Sequence, residues 1–235
     1  MTAYKISAMT DRLNEYARKW NVSVEHQVQT TTSFLAFGTR DGVDVVLKVS
    51  RNMTEEWRSG QVLATFGGKG VVRVFEYADG AALLERLRPA TSLAEVVLSG
   101  RDSEATDILA GVIREMITAP LGEPDASSAE EWGVGFQRYL QSEDGQLPRE
   151  LVAQAHHIYV QLCSSQKKRR LLHGDLHHYN VLFDAQRGWL ATDPKGVVGE
   201  LEYEIGAALR NPYECTQIFT SLTVAEQRIA RLRLR

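Results

Sequence analysis

The sequence predicts an α+β protein of two lobes. Strand-type alternation is concentrated in the first third of the chain, helical periodicity dominates the rest, and the change-over falls near Glu85–Pro89. That junction divides the 235 residues into an N-terminal lobe, 1–87, and a helical C-terminal lobe, 88–235. The length is enough for two small lobes sharing a cleft.

In the first third, Leu13, Tyr16, Ala17 and Trp20 share one helical face, so a helix is expected from Thr10, acting as cap, to Trp20. Two strands follow, 26–38 and 43–49, joined by a turn at Thr39-Arg40-Asp41-Gly42. In the second, Val43, Val45, Leu47 and Val49 alternate with Asp44, Val46 and Lys48, so Lys48 lies on the opposite face from the Val45–Leu47–Val49 row. A helix from about Thr54 to Phe66 stops at Gly67-Gly68, and a hairpin turns at Asp79-Gly80 between 71–78 and 81–87.

Beyond the junction, Ser92 and Glu95 form a capping box. Residues 104–119 and 129–141 are helical by pattern, separated by a loop at Pro120–Pro124. Pro148 opens a helix reaching about Gln166. A loop over His173–Asn180 leads into a short hairpin, 181–183 with 189–191, ended by Asp193-Pro194. A last helix runs from about Leu201 to Asn211-Pro212.

Composition narrows the function. Hydrophobic content of 43% is ordinary for a globular chain, no apolar run approaches membrane-helix length, and the N-terminus lacks a signal-peptide core, so a cytoplasmic protein is expected. Cys163 and Cys215 read as free thiols. The net charge of −3 carries no nucleic-acid signature. The basic tail with Arg228, Arg231, Arg233 and Arg235 reads as the exposed face of a terminal helix.

The stretch 171–196 holds the chemistry. Asp175 and Asn180 flank one loop, and Asp193 ends the hairpin that follows, so closing the hairpin brings Asn180 and Asp193 together. A carboxylate and an amide oxygen are hard ligands suited to Mg2+, which binds through one or two protein groups plus phosphate oxygens. Asp175 is then available to accept a proton from an attacking hydroxyl. A metal clamp, a positioning carboxylate and a cation on the phosphates are the parts that phosphoryl transfer requires.

The run His173-Gly174-Asp175-Leu176-His177-His178-Tyr179-Asn180 resembles the catalytic loop of the aminoglycoside phosphotransferases, an H-G-D-x-x-x-x-N version of the kinase H-R-D signature. Asp193-Pro194-Lys195 resembles that superfamily's metal-aspartate motif. The runs HGDLHHYN, RGWLATDPKGVVGE and ALRNP are similar to the streptomycin 6-phosphotransferase and hydroxyurea phosphotransferase family. The resemblance is densest over 170–212 and reaches back to about residue 26. It implies a protein-kinase-like fold, Asp175 as catalytic base, His173 as shaper of the loop, and Asn180 and Asp193 as Mg2+ ligands. His177 and His178 carry no assigned chemistry and read as loop packing.

Lys48, in Val45-Val46-Leu47-Lys48-Val49, matches the kinase strand whose lysine meets the nucleotide phosphates. The family pairs it with a glutamate on the next helix, for which Glu56 is the first choice and Glu55 the alternative. No Gly-rich loop is present, and Thr30-Thr31-Thr32-Ser33-Phe34 stands in its place. Thr32 and Ser33 are the phosphate-loop candidates, while the same residues also read as an edge strand. By the same resemblance the adenine contact falls at Glu85 and Leu87. The nucleotide is ATP, with GTP as an alternative.

A hydroxylated small molecule is the expected acceptor. A polycationic aminoglycoside favours a carboxylate wall, for which Glu200 and Glu204 are candidates, although carboxylates also suit the first turn of a helix. The resemblance implies further helices after Asn211-Pro212 that complete the acceptor pocket. Ending at Arg235, the chain is expected to leave that pocket open, to have it completed by a second subunit, or to be a truncated or degraded gene product. Two other readings stand beside the kinase. One is a nucleotide-binding but non-catalytic homologue; the other is a metal hydrolase built on His173, Asp175, His177 and His178.

Overall fold

The computed structural model describes residues 3–51, 55–119 and 126–233. Thr54, the Pro120–Pro124 loop and Arg235 lie outside the described residues. Helix α1, Ala3–Lys19, starts earlier than expected, so Thr10 sits in its middle and does not cap it. The expected strand over 26–38 is two strands, β1 Ser23–Gln29 and β2 Ser33–Arg40, turning at 30–32, where Thr30 Oγ1 accepts from the Ser33 N–H at 2.9 Å. Then come β3 Val43–Ser50, a 3-10 turn Glu55–Arg58, α2 Ser59–Phe66, β4 Val74–Ala78 and β5 Ala81–Glu85. The five strands form one antiparallel sheet in the order β1-β2-β3-β5-β4.

Strand alternation sorts the two faces of this sheet. Val45, Leu47 and Val49 of β3 and Ala81 and Leu83 of β5 are buried against Leu13, Ala17 and Trp20 of α1. Ala82 and Leu84, on the opposite face, join Val62, Leu63 and Phe66 of α2. Lys48 pairs in register with Ala82, so it shares the α2 face and is only 3% exposed. Gly67 caps α2 in the left-handed conformation, with φ 58°.

The C-terminal lobe continues with β6 Pro89–Ser92, α3 Leu93–Leu98, α4 Asp102–Met116, β7 Ser127–Ser128, α5 Ala129–Trp132, α6 Val134–Gln141 and α7 Arg149–Ser164. The Ser92–Glu95 capping box forms as expected. Next are β8 Arg169–Leu172, a 3-10 turn His178–Asn180, β9 Val181–Asp184, β10 Gly188–Ala191 and β11 Val197–Glu200. A 3-10 turn Leu201–Glu204 leads into α8 Ile205–Leu209, α9 Thr216–Thr220 and α10 Leu222–Leu232. Two small sheets, β10-β9-β6 and β7-β11-β8, carry the loops of the site.

The basic tail departs from expectation. Arg228 of α10 is 2% exposed, and its guanidinium bonds Asp102 at 2.5 Å and the carbonyls of Ala208 and Asn211 at 2.7 Å each. A charge enters the core here because every side of its fork meets an acceptor. Arg231 stays near the surface and pairs with Asp107 at 2.7 Å.

Candidate active site

Lys48 stands in the middle of an ion triad. Its Nζ lies 2.9 Å from Glu56 Oε2 and 2.8 Å from Asp193 Oδ1. Burial alone would push this ammonium down, but Asp193 and Glu56 outweigh it and the pKa is raised. Glu56 reaches Lys48 from the 3-10 turn before α2 rather than from the helix itself, which makes the short spacing between them workable. An ammonium has three donors, so two carboxylates leave one for a phosphate oxygen.

Asp193 reaches the triad through an unusual backbone. Its φ is 57°, a left-handed conformation that aspartate tolerates better than most residues. The β9–β10 hairpin closes as expected, with Ala191 opposite Val181, and the Thr192 N–H donates to the Asn180 carbonyl at 2.8 Å. Asn180 and Asp193 therefore emerge from the same end. Asn180 Nδ2 donates to the backbone carbonyl of Asp175 at 3.0 Å, which leaves its Oδ1 as the atom that could face a cation.

The loop carrying Asp175 is fixed from beneath. His173 is fully buried; its Nδ1 accepts from the Asp175 N–H at 3.3 Å, so Nε2–H donates to the Thr192 carbonyl at 2.7 Å. Burial pushes the imidazole down to about 4, so it stays neutral at pH 7. With both ring nitrogens engaged, His173 is no metal ligand, and the hydrolase reading loses its first residue. His178 is also buried and is pushed down to about 3, chiefly by desolvation. Gly174 has φ 80°, and a Cβ there would lie 2.6 Å from Val197 Cγ2, so the motif's glycine is sterically required.

The Asp175 carboxylate lies between two basic side chains, with Oδ2 3.4 Å from Lys195 Nζ and 3.8 Å from His177 Nε2. Burial is the main reason that the His177 pKa is lowered. Lys195 also lines a pocket of about 590 Å3 between the lobes, with Trp57, Val62, Trp132, Arg138 and Gly196. Spacing had drawn no attention to Lys195.

Glu204 requires a correction. It was expected on an acceptor wall, yet it is 3% exposed, and its carboxylate accepts from the N–H of His173 at 2.6 Å and of Gly174 at 3.0 Å. It is a clamp under the His173–Asp175 loop. Glu200 also misses the cleft. The β8–β11 register sets it beside Arg169, at the opposite end of the pair from Leu172, and its Oε1 accepts from the Lys167 N–H at 3.3 Å.

Burial drives the Glu204 carboxyl up to about 7 from 4.5, against the pull of backbone N–H groups. The folded protein therefore holds this proton more tightly than the unfolded chain. The stability it brings is present below pH 4.5 and is lost as pH rises towards 7. Over that interval the wild type is expected to lose on the order of 3 kcal/mol relative to Glu204→Gln. Urea midpoints of both proteins at pH 4.5 and 7.5 check this, and parallel curves would refute it.

The remaining expectations fall near the sheet. Ser33 is buried, with its hydroxyl unpaired among the described residues, whereas Thr32 lies exposed in the β1–β2 turn. Because Ser33 pairs with Ser50 and Leu35 with Lys48, that turn sits at the Lys48 end of the sheet. The Glu85 N–H donates to the Arg73 carbonyl at 3.0 Å and its carboxylate bonds Arg187, so only its carbonyl remains for a base. Leu87 is buried where the sheet ends.

Comparison with known proteins fits this geometry. Residues 19–233 match the family model described as aminoglycoside/hydroxyurea antibiotic resistance kinase. A streptomycin 3''-kinase of Klebsiella pneumoniae is 34% identical over 83% of this chain and 71% of its own length. A hydroxyurea phosphotransferase of Kitasatospora aureofaciens is 27% identical over 91% of this chain, which spans 64% of that relative. A ternary complex of aminoglycoside phosphotransferase APH(4)-Ia with ADP and hygromycin B superposes with a TM-score of 0.61 at 15% identity, covering 93% of this chain and 87% of the other. That likeness establishes the two-lobed, protein-kinase-like fold. With the family model spanning nearly all of its length, the chain belongs to the aminoglycoside/hydroxyurea antibiotic resistance kinase family.

Proposed function

We propose that the protein transfers the γ-phosphoryl group of ATP to a hydroxyl of a streptomycin-like aminoglycoside or of hydroxyurea. The observation that carries this is the Glu56–Lys48–Asp193 triad beside the Asp175–Asn180 loop. Residues 1–87 form the nucleotide lobe and 88–235 the catalytic and acceptor lobe. Lys48, held by Glu56, meets the phosphates. The β1–β2 turn with Thr32 and Ser33 covers them, and the Glu85 carbonyl and Leu87 N–H receive the adenine.

The donor set fits Mg2+. Asn180 Oδ1 and the Asp193 carboxylate are hard oxygens at one hairpin end and would hold Mg2+ together with the phosphates. When bound, it neutralises charge on the phosphates. Asp175 accepts the acceptor's proton as the acceptor oxygen bonds to the γ-phosphorus. The bond from that phosphorus to the β–γ bridging oxygen breaks, and ADP leaves.

The test is acceptor-dependent ADP formation with Mg-ATP on streptomycin and hydroxyurea, with the product followed by phosphorus NMR. A new phosphoester signal is expected with one of them. ATP binding with no product on either would favour the non-catalytic homologue instead.

A further inference from the structure

We propose that Lys195 is a second catalytic cation, which donates hydrogen bonds to the transferring phosphoryl group while that group passes from nucleotide to acceptor. The inference rests on the phosphotransferase reading above and assigns a residue that reading leaves without a part.

Four observations place Lys195 there. Its Nζ is 3.4 Å from Asp175 Oδ2, so it stands where an acceptor hydroxyl must come to give up its proton. Among the described residues it is the one Lys or Arg within 4 Å of that carboxylate. Its backbone is pinned to the catalytic loop, since the N–H groups of Lys195 and Gly196 both donate to the His173 carbonyl, at 2.9 and 3.0 Å. Finally, its ammonium lies 5.5 Å from the Trp132 ring centroid and lines the 590 Å3 pocket, so the charge sits at the boundary between base and acceptor space.

Charge accounting explains the need. The transferring group spreads negative charge over its equatorial oxygens, and a donor aimed there is worth most in a site shielded from water. Lys48 already serves Glu56 and Asp193 from the sheet side. His177, the other neighbour of Asp175, stands farther off, with Nε2 3.8 Å from Oδ2. Lys195 takes no part in the proton transfer. The acceptor's proton goes to Asp175, the acceptor oxygen bonds to phosphorus, and the bridging oxygen leaves with ADP.

Binding of AMP-PNP and of ADP, each with Mg2+, separates this role from a structural one, because only AMP-PNP carries the third phosphoryl group. Lys195→Ala is expected to weaken AMP-PNP severalfold while leaving ADP within about twofold, and to lower kcat with streptomycin by about 100-fold. Lys195→Arg should recover part of both, and thermal melts show that each variant is folded. Equal effects on the two nucleotides, or none, would overturn the proposal and leave Lys195 as a mere partner of Asp175. Asp175→Asn, which keeps the cation, should preserve the AMP-PNP preference. If the wild type neither transfers phosphate nor binds AMP-PNP, the phosphotransferase reading falls and takes this inference with it. If the wild type transfers and only Lys195→Ala behaves as wild type, this inference alone is lost.

Discussion

Replacing Asp175 with Asn is expected to lower kcat by about 100- to 10,000-fold, with little change in nucleotide affinity or stability. In free energy the loss corresponds to roughly 3–5 kcal/mol of transition-state stabilisation. The selectivity follows from how the loop is built. Asp175 contributes to the fold through its backbone, with its N–H on His173 Nδ1 and its carbonyl accepting from Asn180. Its carboxylate faces Lys195 and His177. Asn keeps the shape and the backbone bonds but cannot take the acceptor's proton. Single-turnover and steady-state rates, with AMP-PNP binding alongside, check the result. A variant retaining more than a tenth of the wild-type kcat would remove Asp175 from the role of base.

The parts of the site that rest on local patterns were readable in the sequence. Strand alternation put Lys48 on its own face of β3, the turn residues closed the β9–β10 hairpin, and Ser92 with Glu95 announced a capping box. What local pattern could not reveal depends on distant partners. Strands β7, β8 and β11 are two to four residues long, too short for a period-2 signal, and they exist because Val197–Glu200 pairs with Leu172–Arg169 on one side and Val197–Val198 with Ser127–Ser128 on the other. Glu204 reads in the sequence either as an acceptor-wall carboxylate or as a first-turn residue, since its true partners, the His173 and Gly174 N–H groups, lie some 30 residues earlier. Arg228 shows the same limit more sharply. In sequence it is one arginine of a basic tail, and in the fold it is a core residue whose main partner, Asp102, is 126 residues away.

Arg228→Ala is expected to be the most destabilising single substitution proposed here, at about 3–5 kcal/mol. One guanidinium answers three demands. It balances the Asp102 carboxylate, caps the Ala208 carbonyl near the C-terminus of α8, and satisfies the Asn211 carbonyl beyond it. Truncation leaves both carbonyls and a partly buried carboxylate without their partner, and it opens space around Leu232. For a domain of this size the melting temperature should fall by roughly 10 °C. Arg228→Leu combined with Asp102→Leu should recover part of the loss, because it removes the stranded carboxylate together with its counter-ion. Since α8 follows directly on Glu204, the clamp under the His173–Asp175 loop, unfolding should abolish activity in the same step. Well below its melting temperature the variant should still turn over within a few-fold of wild type, because Arg228 touches none of Lys48, Asp175, Asn180 or Asp193. Denaturant titrations and rates at low temperature test both halves. A melting temperature within 2 °C of wild type would mean that water replaces the guanidinium at its three acceptors, and that α10 is held by its apolar face alone.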